Sequence, residues 1–234
     1  MRMKAKHLFI VTAIMLAAAL SAGLYCKASY LDFNQEEAPL ERFLVGLLPD
    51  DLVERQIGRM EKELPDSPLI AAVRCTEKTK FLFGCTTQEA EVLHVFRGEE
   101  LEEGQRIDTI RASSMIFDTA ESGFETNEKG PKRYSINMGF VNEMTPGKEY
   151  LLFLDHKEAE IPGGNTVYRM SDEFLMATVF CYEETESIPQ ESIDSESMSA
   201  YYTDVKDSEF FVMSRKAVKD LNQFKKRLFQ KYPY

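Results

Sequence analysis

After residue 26 the sequence holds no second long hydrophobic run, which excludes a multi-pass membrane topology. Gly-x-Ser-x-Gly, P-loop and dinucleotide-binding patterns are absent, so no common hydrolase or nucleotide-site motif is signalled. H-E-x-x-H and C-x-x-C spacings are missing too; no metal site, cofactor or catalytic constellation is expected. Positive charge is scarce, with 28 basic residues against 39 acidic ones and a formal net charge of −11. Arg2, Lys4 and Lys6 stand before the one apolar segment; without them 25 basic residues face 39 acidic ones, a net of −14. A field of that sign repels nucleic acid and anionic lipid, so neither is an expected partner, and it also keeps a domain soluble.

What is present begins with location. Residues 1–6 form a basic n-region, and residues 8–25 (LFIVTAIMLAAALSAGLY) carry no charge over 18 positions. A membrane-crossing helix needs about 20 apolar residues, and the basic flank stays cytoplasmic by the positive-inside rule. Residues 7–26 are therefore expected to be an anchor that places the rest outside the cytoplasm. The run exceeds the roughly 7–15 residues of a signal-peptide core, which favours retention. Ala19, Ser21, Ala22 and Gly23 leave cleavage and secretion open as the alternative. Cys26 lacks the small preceding residue of a lipoprotein site, because Tyr25 stands there.

Residues 34–68 read as a helical linker of two amphipathic helices. Leu40, Phe43, Leu44, Leu47 and Leu48 follow a helical stripe, and Asp51-Leu-Val-Glu54 resembles a capping box ahead of Val53, Ile57, Met60 and Leu64. These stripes either lie on a bilayer surface or cover the following sheet. From Leu69 the period becomes that of strands: 69–75, 90–97, 106–111, 150–154, 166–170 and 174–182, separated by Gly98, Gly104, Pro146-Gly147 and Pro162-Gly-Gly164. Turn-punctuated strands predict a mainly β barrel over 69–182, or else a β-sandwich. The polar insertion 118–132 and the acidic loop 183–199 bury too little apolar surface and are expected to be disordered. Residues 200–234 would hold a final strand and a helix capped by Ser214, with Ala217, Val218, Leu221, Phe224 and Leu228 buried.

Two passages carry a resemblance. Residues 90–110 (AEVLHVFRGEELEEGQRIDTI) and 144–154 (MTPGKEYLLFL) are similar to successive strands of bacterial extracytoplasmic domains related to the tissue inhibitor of metalloproteinases. The resemblance spans about residues 70–169 and implies an OB-like antiparallel β-barrel of the netrin-module kind. Those inhibitors act through a cysteine at the mature N-terminus. Here an anchor and the linker precede the barrel, so the resemblance brings the fold and not the inhibition.

Candidate site residues are few. Cys75 and Cys85 bracket a short hairpin and are either a cross-strand disulfide or two small core residues. Phe81, Leu82 and Phe83 at its tip are either a partner-binding knob or ordinary core. Lys225, Lys226 and Arg227, with Lys231, are either a basic patch for anionic envelope polymers or a solvated helix face. Asp155, His156, Glu158 and Glu160 cluster without metal-ligand spacing; His94 alternates with Val92 and Phe96 along a strand, and Cys181 reads as a small hydrophobe. Together these features predict a non-catalytic, membrane-anchored extracytoplasmic binding or scaffold module for a protein or glycan of the cell envelope. A regulator or inhibitor of a secreted protease is the first alternative, and a hydrolase using Cys181 or His156 the second.

Overall fold

The structure, a computed structural model, describes residues 5–28, 34, 39–82, 85–112, 116–117, 134–136, 139–141, 143–193 and 198–234. The chain divides into two units, residues 1–37 and 38–234. The first unit contains helix α1 (Ala5–Ala28), whose window Phe9–Cys26 has a mean hydropathy of 2.1. Twenty-four residues rise about 36 Å, longer than the roughly 30 Å hydrocarbon layer. Its apolar side chains, Phe9 and Leu24 among them, are exposed. It is therefore long and apolar enough to span a membrane.

The second unit opens with a short 3-10 turn, Pro39–Arg42, and then strand β1 (Phe43–Gly46). The first of the two expected linker helices is therefore replaced by a strand. Leu44, Val45, Leu47 and Leu48 are all buried, so successive residues, not one stripe, face apolar surroundings. Short apolar runs do not distinguish helix from buried strand, and here pairing on both edges decides. Helix α2 (Asp50–Glu63) forms as expected and buries Val53, Ile57 and Met60. Its start differs in detail. Pro49 occupies the N-cap without a side-chain bond, and Asp51 bonds Arg55 at 2.6 Å instead of closing a capping box.

The main sheet comprises β2 (Leu69–Cys75), β3 (Lys80–Leu82), β4 (Cys85–Arg97) and β5 (Arg106–Ala112). Beyond β6 (Ile116–Phe117) and β7 (Tyr134–Ile136), it is completed by β8 (Glu149–Glu160), β9 (Thr166–Met170) and β10 (Val179–Cys181). Strands β8, β2, β4, β5 and β9 pair in that order, and β9 pairs back onto β8. This is a closed five-stranded barrel. All its pairings are antiparallel except β5–β9, a pattern compatible with an OB-like fold. Closure depends on two long strands that bend. Residues 90–97 of β4 pair with β2 while residues 85–91 pair with β5; residues 149–154 of β8 pair with β2 while residues 154–160 pair with β9. Register shifts against β2 and β9 mark bulges that give the strands this curvature. Gly98, at φ 111°, ends β4 where an added Cβ would collide with Leu69.

A second, four-stranded sheet runs β11-β1-β7-β6, with β11 at Ser199–Tyr201. After β11 come the one-turn α3 (Tyr202–Val205) and α4 (Arg215–Lys231). The α4 cap is as expected: Ala217 N–H donates to Ser214 Oγ at 3.2 Å. Ala217, Leu221, Phe224 and Leu228 are buried, with the Phe224 and Phe180 rings edge to face at 5.6 Å. The described part of the acidic loop, 183–193, is held in place, contrary to the expected disorder. Gln190 N–H bonds Val212 O at 2.8 Å, Phe210 N–H bonds Ser187 Oγ at 3.1 Å, and Pro189 is buried. The insertion 118–132 lies outside the described residues, as do 194–197.

Candidate functional site

The polar interior of the barrel lies toward one end. Thr86 and Gln88 of β4 and Thr109 and Arg111 of β5 are buried, where the neighbouring Ala90, Val92 and Ile107 make the apolar part. Buried polar groups need partners. Gln88 supplies one pair: its Nε2 donates to Met144 O at 2.6 Å, and its Oε1 accepts from Met144 N–H at 2.9 Å. The side-chain amide thus replaces the strand that residue 144 lacks and fixes this segment over the barrel end. Thr109 Oγ1 donates to Gln88 O at 3.1 Å. Arg111 pairs with Glu143, both side chains less than a tenth exposed.

Beyond that segment lies a cavity of about 280 Å³. Its apolar lining includes Phe140, Met144, Tyr150 and Val179. The Tyr150 hydroxyl accepts from Thr145 N–H at 2.8 Å, and burial raises its pKa above the usual phenol value. Its polar lining includes Thr185 and residues 206–209. Glu209 is the hub of these polar residues. It accepts from Cys181 N–H at 3.2 Å, from Thr185 Oγ1 at 2.5 Å and from Lys225 Nζ, and Lys225 also donates to Glu183 O at 3.1 Å. Glu209 and Lys225 are both buried, so one ion pair ties β10, the acidic loop and α4 together.

Several expected site residues fall elsewhere. Cys75 faces Ala90 across β2–β4, while Cys85 faces Leu82 on β3 and Ala112 on β5; both thiols are free. Five residues of β4 separate the two registers, about 17 Å of strand, too far for a disulfide. Burial pushes the Cys75 thiol up to about 12, with Sγ donating to Glu77 O at 3.2 Å. Cys181 is raised by burial too, which leaves it a thiol and a weak nucleophile. Phe81 is buried, Leu82 is about half exposed, and Phe83 lies outside the described residues.

The three helix cations divide: Lys225 is inside, Arg227 pairs with Glu61 of α2, and Lys226 is exposed. They do not form one patch. Residues 155–160 continue strand β8 beyond the expected end at 154, and their charges are matched locally, Glu158 with Arg169 at 2.8 Å and Lys157 with Glu160. His156 lies 3.2 Å from Glu158; His94 Nδ1 lies 2.7 Å from Glu103. Cys26 is exposed on α1. Among the described residues no group of three or more potential ligand side chains could hold a metal ion.

Outside the barrel, Glu89 links three segments. It accepts from Thr76 Oγ1 at 2.8 Å, from Asn165 Nδ2 at 2.9 Å and from Arg106 at 3.3 Å. The Thr76 bond is foremost in holding its carboxyl below the usual range. The loops after β2 and β8 are thereby fixed beside the β4–β5 face.

Sequence reading missed Glu209, Glu143, Arg111 and Gln88. One signal was present. Lys225 stands four residues after Leu221 and three before Leu228, on the buried stripe itself, and a cation there requires a buried anion.

Fold and site together define an OB-like barrel with an end pocket in which Glu143, Lys148 and Glu209 are ion-paired. No family model matches the chain, and no curated protein matches it either.

Proposed function

We propose that the chain is a membrane-anchored binding module, carried outside the cytoplasm by α1, that holds a protein or glycan partner without transforming it. The observation supporting this reading is the end pocket, concave and preformed, whose carboxylates and cations neutralise one another at Arg111–Glu143 and Glu209–Lys225. Paired groups of that kind orient a ligand. Catalysis would instead call for an acid or base poised to exchange protons.

The topology rests on the basic n-region and the 18-residue apolar window of α1. Proximity labelling from the C-terminus on intact cells, with mass determination of the mature chain, tests partner and processing together. Envelope neighbours and a mass that includes Met1–Cys26 are expected. A cytosolic neighbourhood would overturn the location. Turnover of a hydrolase substrate panel, abolished by one point substitution in the pocket, would overturn the non-catalytic role.

A further inference from the structure

We infer that the end pocket binds one uncharged sugar ring, the terminal residue of a neutral glycan; this rests on the binding-module reading and specifies its ligand. The argument starts from charge. The chain as a whole is strongly acidic, at −11. The pocket is not: Glu143 is matched by Arg111, Glu209 by Lys225 and Lys148 by Glu183 at 3.2 Å, and the two further charged lining residues, Lys206 and Asp207, carry opposite signs. A charged ligand entering this cavity loses its hydration and meets no uncompensated opposite charge, a net cost. An uncharged polyol meets both kinds of partner it requires, carboxylate acceptors and ammonium donors.

Shape narrows the class further. A pyranose ring has hydroxyls around its rim and C–H groups on its faces. The cavity is lined both by Phe140, Tyr150 and Val179 and by the polar residues 206–209, so it offers both kinds of contact. Phe140 cannot turn aside, because Phe210 and Phe180 hold it edge to face at 5.2 and 6.1 Å. At about 280 Å³ the cavity lies at the small end of the roughly 300–1,000 Å³ of small-molecule sites, so it takes one ring and not a chain. Glu143 and Glu209 are held by their ion pairs before the ligand arrives, which lowers the entropy cost of binding.

The test uses the full chain in nanodiscs and saturation-transfer NMR with neutral methyl glycosides of glucose, galactose, mannose and N-acetylglucosamine. Glucose 6-phosphate and glucuronate serve as charged counterparts. At least one neutral glycoside is expected to bind with Kd near about 1 mM, a typical value for a single ring with few contacts. Asp207→Ala and Lys206→Ala, both on the exposed rim, should each weaken it about tenfold while the melting temperature stays put. Silence from all four neutral glycosides, tighter binding of either charged one, or unchanged affinity in both rim variants would overturn the assignment. If labelling finds a constant protein neighbour while no sugar binds, the binding-module reading stands and this ligand falls. If a sugar binds but the neighbourhood is cytosolic, the ligand stands and the location falls.

Discussion

Removing Lys225 should cost this domain a large part of its stability, and removing Glu209 with it should restore most of the loss. In Lys225→Met the Glu209 carboxylate remains buried with donors from Cys181 N–H and Thr185 Oγ1 only, while Glu183 O loses its ammonium partner. In Glu209→Gln the ammonium is left inside without an anion, with only the Glu183 carbonyl, the new amide oxygen and the Phe229 ring at 5.6 Å around it. Breaking a buried pair by removing one partner costs about 3–5 kcal/mol, against total stabilities of about 5–15 kcal/mol. For a unit of this size each kcal/mol moves the melting temperature by about 2–4 °C, so either single variant should melt about 6–20 °C lower. The double variant Glu209→Gln, Lys225→Met leaves no charge uncompensated and should recover to within about 1–2 kcal/mol of the parent. Denaturant unfolding of all four proteins completes the cycle. Single variants that each lose less than about 1 kcal/mol, or losses that simply add, would refute the claim that this pair binds β10, the acidic loop and α4 into one body.

Three further expectations follow from the same geometry. Cys75 and Cys181 should resist alkylation at pH 8 until denaturant is added, since burial keeps both as thiols; a Cys75–Cys85 cross-linked peptide in the native digest would contradict the strand register. Glu89 should titrate below the usual carboxylate range. Because its folded pKa is depressed, its contribution to stability is present above the unfolded carboxylate value and lost as pH falls through the folded one; Thr76→Val should raise its pKa in an NMR titration, and an unmoved titration would remove the Thr76 bond as the cause. Gln88→Ala should destabilise the domain by about 2–4 kcal/mol, because it strands both backbone groups of Met144 in a buried setting, and native-like denaturant curves would count against that clamp.

The barrel strands were legible because their signals are local. Alternating side chains from 106 to 111, the apolar run from 69 to 75 and the turn pairs before 150 and 166 each specify a strand without reference to anything distant. β1 was not legible, because Phe-Leu-Val-Gly carries a stripe that fits a helix equally well until β7 and β11 pair with it. The acidic loop defeated composition for a related reason: its order comes from backbone partners at 210–213, and one buried proline does what its sparse aliphatics cannot. The pocket could not be assembled from the sequence at all. Its walls come from residues near 140–150, 179–185 and 206–209, which meet only after the ring has closed. Lys225 was the exception, a charge on an apolar stripe that announces its partner without naming it.

The order in which the barrel strands are joined carries a cost during synthesis. Among the described residues β9 is the only strand that pairs with both β5 and β8, and it comes last of the five along the chain. Until it arrives, the first four strands form an open ribbon with two bare edges, each offering unpaired amides and carbonyls to a neighbouring chain. A stall in synthesis between 161 and 165, after β8 and before β9, would hold the polypeptide in that vulnerable form. Temperature-sensitive aggregation should then track substitutions in β9 more closely than equally buried ones in β2.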